Sequence, residues 1–159
     1  MQAEYWAKVH DLVDFIEVSR QDMVNTAEAW GILAPHMRMV LDDFYSNRIM
    51  SEERWKLKGI DIGQLKGKQL SYWGKLFTGV IDDVYRTQVR SIAVEHHRHG
   101  VTMTDYIASY GWFLNAFEQV LVAEVGCAAR RAEMMAALRR LVFLDMTIAA
   151  SSYYIVYVD

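Results

Sequence analysis

The chain has one proline and one cysteine in 159 residues, no hydrophobic run long enough for a bilayer and no excess of positive charge. Each shortage excludes a class of protein. Proline removes an amide donor and clashes with the preceding helical turn, so a chain with only Pro35 can run in long helices. A lone Cys127 cannot close an internal disulfide, and a cytoplasmic protein is expected. No apolar stretch reaches the roughly 18 residues of a membrane span, and the amphipathic start MQAEYWAKVHDLVDF carries acids that a signal peptide lacks. A formal net charge of −3 offers no footprint for nucleic acid. The glycines give no phosphate cradle either: Gly67-Lys68-Gln69 lacks a preceding strand and the Ser or Thr of a P-loop.

What is present is apolar and helical in pattern. A composition 53% hydrophobic and 23% charged belongs to a folded chain. One core is expected, burying on the order of 70% of the unfolded surface. With no repeat, linker or low-complexity segment, residues 1–159 form a single all-α domain. Ser19 with Asp22 has the spacing of a capping box, and Ser51 before Glu52 and Glu53 marks a second helix start. Apolar periodicity between such signals predicts helices near 4–15, 20–31, 35–48, 51–57, 63–78, 80–98, 102–126 and 130–157. The apolar stretch from Leu138 to Val158, interrupted by Arg139, Arg140 and Asp145, suits a buried or dimer-forming helix. That helix meets no stop signal before Asp159, which suggests continuation into a C-terminal partner domain.

Histidine is the informative residue type. His96, His97 and His99 cluster in VEHHRHG, but a zinc site usually needs ligands at i, i+4 or a paired C-x-x-C, and neither occurs. Stepping back from His96 along a helix reaches Ile92, Val89 and Tyr85, an apolar stripe. From His97 the steps reach Ala93, Arg90 and Arg86, so His96 is expected inward and His97 outward. An inward histidine is either a packed core residue, the commoner case, or a ligand. Tyr45, beside Phe44 at the edge of an apolar face, is likewise either a packing residue or a hydrogen-bond donor into a pocket. Leu65, Gln69, Tyr72 and Leu76 form a helical stripe with one polar amide, core by default. No serine, histidine and acid trio stands out, so no catalytic constellation is expected in this chain.

These segments nevertheless resemble one family. Arg90 to Tyr110, RSIAVEHHRHGVTMTDYIASY, is similar to the signature of the sensor globins of bacterial globin-coupled sensors, a protoglobin-like family. The matching positions are Ile92, His96, Arg98, Gly100, Val101, Tyr106 and Tyr110. Three further blocks agree in order: DDFY at 42–45, QLKGKQLSYWGKLFTGVIDDVY at 64–85 and FLDMTIAASSYY at 143–154. The resemblance implies a globin fold of the 3-over-3 type with an extra N-terminal helix and no D helix.

It also implies haem b, with His96 as the proximal iron ligand and Tyr45 as the distal donor to a bound gas. The rest of the pocket would comprise Phe44 beside Tyr45, Leu65, Gln69 and Tyr72 on the facing helix, Val89 and Ile92 on the His96 stripe, and Tyr106. Dioxygen or another diatomic gas would be the ligand, and a homodimer through helices 102–126 and 130–157 would pass its state to a C-terminal output domain. Any enzyme would lie in that domain. The chain departs from the family pattern at Ala93, His99, Met103 and Asp105, all around the proximal turn, which leaves His99 as a competing ligand. A reading of a different class is a haem-free globin-like interaction module in which His96 and Tyr45 only pack.

Overall fold

The computed structural model describes residues 9–46 and 59–156, with side chains through residue 153, and all regular structure among them is helical. In chain order the helices are α1 (Val9–Phe15), α2 (Arg20–Leu33), a 3-10 turn (Ala34–His36), α3 (Met37–Ser46), α4 (Ile62–Thr78), α5 (Asp83–Arg98), α6 (Met103–Glu124) and α7 (Ala128–Val156). The helix expected over 51–57, with its start at Ser51, lies outside the described residues. Among those residues, no helix is long and apolar enough to cross a membrane.

Side-chain caps set most of the starts. Ser19 Oγ accepts the Asp22 N–H at 3.1 Å while Asp22 accepts the Ser19 N–H at 2.8 Å, the capping box expected for α2. Asp82 accepts the Tyr85 N–H at 2.9 Å, so α5 begins at Asp83, three residues later than the periodicity suggested. Thr102 and Asp105 form a second capping box at the head of α6. This explains a departure from the family pattern: a carboxylate at Asp105 closes a helix end. Pro35 sits in the first turn of the 3-10 segment, where a missing amide donor costs nothing.

The C-terminus of α5 ends in a tightly specified turn. The Val101 N–H donates to the His96 carbonyl at 3.0 Å and the Gly100 N–H to the His97 carbonyl at 3.0 Å, the paired bonds of a Schellman motif. Gly100 holds φ at +76°, a left-handed conformation in which a side chain meets the backbone. Val101 then packs into the core.

The core is organised around α7, which contacts α1, α2, α4, α5 and α6. Its buried face is wide, taking in Leu138, Leu141, Val142, Leu144, Ile148 and Ala149, while Arg139, Phe143 and Thr147 lie exposed on the opposite side. Trp73 and Phe77 stack at 5.6 Å and meet Phe117 edge-on, while Phe44 contacts Phe113 at 4.5 Å. Arg140 pairs with the capping Asp22 at 3.0 Å, fixing α2 on α7.

Gly100→Ala is expected to cost about 1–2 kcal/mol of stability, the penalty of a left-handed residue with a side chain. Chemical denaturation reads it as a lower midpoint at unchanged slope. An unchanged midpoint would show that the turn is not strained.

Candidate functional site

The first group of candidate residues gathers at the end of α5. Tyr85, Val89 and Ala93 are buried in sequence along the helix, with Val89 at 0% exposure, while Ile92 is half-buried. The buried line therefore runs through Ala93, a residue expected on the solvated side. At 3.6 residues per turn, positions three and four beyond Ala93 straddle that line, so His96 and His97 are both half-buried. The expectation that His97 faces solvent is corrected accordingly: its ring meets Tyr153 edge-on, centroids 6.1 Å apart. His99 is the C-cap of α5 with non-helical φ/ψ, which takes it out of the helical stripe. Among the described residues no group of three or more His, Cys, Asp or Glu side chains is placed to hold a metal ion, so the triplet is not a chelate.

His96 has the more defined surroundings. Its Nδ1–H donates to the Ile92 carbonyl at 2.9 Å, one turn back on the same helix. Its ring meets the buried Tyr106 edge-on, with centroids 5.2 Å apart and planes at 82°. Burial pushes the imidazole pKa below its ordinary value, against the pull of the Ile92 carbonyl, and nearby His99 pushes it the same way as burial. The result is a neutral ring whose proton is committed to Nδ1 and whose lone pair lies on Nε2. Metal-bound histidines are oriented in this way by a carbonyl behind the ring.

The second group lies between α3 and α4. Phe44 is buried and Tyr45 half-buried, and the Tyr45 hydroxyl donates to Gln69 Oε1 at 2.9 Å. Leu65, one turn before Gln69, is half-buried against the same core. Lys66 pairs with Asp42 at 2.7 Å and lies 5.9 Å from the centre of the Tyr45 ring. Burial raises the phenol pKa, so Tyr45 stays a protonated donor at physiological pH. The amide that broke an apolar stripe thus has a partner, the neighbouring phenol.

Tyr72 turns elsewhere. Its hydroxyl donates at 2.5 Å to Asp145, a carboxyl with 0% exposure in the middle of α7. Tyr85 and Tyr110 donate to the same carboxyl, and the Tyr106 and Tyr110 hydroxyls lie 3.0 Å apart. Burial raises the Asp145 pKa, opposed by its phenol donors. Sequence reasoning missed this cluster because Asp145 registered only as an interruption of an apolar run. The available signal was one acid in LVFLDMTIAA together with Tyr72 and Tyr85, two phenols on stripes read as core.

The protoglobin family matches this chain over residues 6–157. The chain belongs to that family. The globin domain of a globin-coupled sensor from Geobacter sulfurreducens superposes on this protoglobin with a TM-score of 0.82 at 15% sequence identity, covering 93% of this chain and 99% of that one. At that identity the likeness establishes the globin fold, in which α1 precedes α2 as the expected additional N-terminal helix. Among curated proteins none matches the chain.

The depressed pKa of His96 makes folding oppose proton uptake at this ring. The unfolded chain binds a proton at His96 more readily than the native protoglobin does, so the stabilising contribution is complete above pH about 6.5. It is lost as pH falls from there towards the depressed native value. The wild-type melting temperature, measured without haem, is expected to drop more between about pH 7.5 and about pH 5.5 than that of His96→Leu. Equal losses would show that His96 is not held neutral.

Proposed function

We propose that this protoglobin is a haem-based sensor of dioxygen or a related diatomic gas, acting in the cytoplasm as a homodimer that signals through its last two helices. Membership of the family implies haem binding in general, and the donor set fits that group. One observation carries the reading: the hydrogen bond from His96 Nδ1–H to the Ile92 carbonyl, which reserves Nε2 of a neutral imidazole for a metal. His96 is the residue that would hold the iron of haem b. Val89 and Ile92 on the same helix, with Tyr106 and the distal-side Phe44 and Leu65, would supply apolar cover. Haem bound there supplies an iron with an open position for a gas.

The protein's own contribution is selection and readout. Tyr45 donates a single proton, which rests on Gln69 in this structure and would be redirected to a gas that carries partial negative charge. A hydrogen bond to a charged acceptor is worth roughly 1.5–3 kcal/mol against 0.5–1.5 kcal/mol for a neutral one. Exchanging one for the other therefore favours dioxygen by about 1–1.5 kcal/mol, close to tenfold. Carbon monoxide, with little negative charge on its outer atom, gains almost nothing. Tyr72 is left out of this distal pair because its hydroxyl is committed to Asp145.

The paired helices α6 and α7 are the proposed dimer surface and exit route, α7 leading towards an output domain. The solved globin domain that shares this fold belongs to a globin-coupled sensor from Geobacter, which supports a linked output. Movement of His96 relative to Tyr45 would bias how α7 sits, a two-state element of the kind that switching requires.

Hemin added to the purified protein is expected to give a Soret band at one equivalent, and His96→Ala to lose that spectrum. A colourless mixture would contradict the proposal. Tyr45→Phe is expected to release dioxygen about tenfold faster with carbon monoxide release nearly unchanged, measured by flash photolysis and stopped flow. Equal rates in both variants would remove Tyr45 from gas selection.

A further inference from the structure

Four helices meet at one carboxyl. Asp145 on α7 accepts hydrogen bonds from Tyr72 on α4, Tyr85 on α5 and Tyr110 on α6. A buried carboxyl left without donors is strongly destabilising, so each phenol that satisfies it also fixes its own helix against α7. The connections continue past the carboxyl on both sides. The Tyr110 hydroxyl shares a hydrogen bond with that of Tyr106 at 3.0 Å, and the Tyr106 ring lies edge-on against His96. On the other side, Tyr72 follows Gln69 by three residues on α4, and Gln69 is the acceptor of the Tyr45 proton. A second residue of α7 reaches the same corner: the Tyr153 hydroxyl donates to the Val101 carbonyl at 3.3 Å, and its ring contacts Tyr106 at 5.7 Å.

We infer that Asp145 is a positioning residue for the proximal side of the site, holding the Tyr106 ring against His96 by way of Tyr110 and tying α4 and α5 to α7 by way of Tyr72 and Tyr85. This rests on the role proposed above for His96. The two oxygens of the carboxyl divide the work. Oδ1 accepts from Tyr72 and Tyr85, whereas Oδ2 accepts from Tyr110 and so controls the path to His96. Asparagine in place of Asp145 keeps the shape but turns one acceptor into a donor; with its oxygen kept towards the two phenols at Oδ1, the amino group faces Tyr110, and the Tyr110–Tyr106 pair then reverses or separates.

The test compares Asp145→Asn, Tyr110→Phe and Tyr85→Phe with wild type in two readouts that general packing would not move selectively. In the haem-free protein, the ring-proton NMR resonances of His96 report the placement of the Tyr106 ring. In the ferrous haem-loaded protein, the iron–histidine stretching band reports the orientation of the ligand. Asp145→Asn and Tyr110→Phe are expected to shift both signals strongly, and Tyr85→Phe, which leaves Oδ2 and Tyr110 in place and loosens only the tie of α5 to α7, to shift them clearly less. Unchanged signals in a folded Asp145→Asn protein, or equal shifts in all three variants, would overturn the inference. If Asp145→Asn does not fold, Tyr110→Phe against Tyr85→Phe decides the matter by the same criterion. A wild-type protein that fails to take up hemin contradicts the proposed function, and the NMR comparison then decides on Asp145 alone.

Discussion

A carboxyl with no access to solvent sits at the centre of this globin, and the arrangement of the helices follows from the need to satisfy it. Asp145 interrupts the most apolar segment of the chain and is buried among phenols contributed by three other helices. Replacing such a group with a leucine would suit a purely apolar core, since buried polar clusters seldom add net stability over good packing. What the cluster supplies instead is geometry. Directional bonds from α4, α5 and α6 set the positions of those helices on α7 more narrowly than dispersion contacts alone, and α4 and α5 are the helices that carry Gln69 and His96.

The proximal corner shows how local chain chemistry and tertiary packing agree. Gly100 ends α5 in a Schellman motif whose bonds use the carbonyls of His96 and His97, so the last turn of the helix is fixed from below. The Ile92 carbonyl fixes the His96 ring from the preceding turn, and Tyr106 fixes it from α6. A histidine constrained on three sides loses little further rotamer freedom when it binds a metal, which favours tight coordination. The distal corner is looser by comparison, with one half-buried tyrosine resting on one amide.

Much of this was legible in the sequence where the signal was local. The Ser19–Asp22 box, the helices over 20–31 and 63–78 and the inward placement of Tyr85 and Val89 are properties of spacing, and the structure has them. The same kind of signal at Thr102 and Asp105 was overlooked because Asp105 was considered only as a departure from a family motif. The placement of His97 was misjudged for a different reason. Helical spacing gives the angle between residues, but α7 decides which angle is buried, and Tyr153 covers His97 from there. The partners of Asp145 and Gln69 could not be read from spacing at all, since they are separated from them by 24 to 73 residues.

The proposed haem site depends most on His96 holding the iron, and replacing that residue with an empty space tests this directly. His96→Gly protein, supplied with hemin, is compared by absorption and magnetic circular dichroism before and after addition of free imidazole. An altered spectrum is expected for the variant alone, with recovery of the wild-type spectrum once imidazole fills the vacated position. A wild-type spectrum from His96→Gly without imidazole would contradict that role of His96.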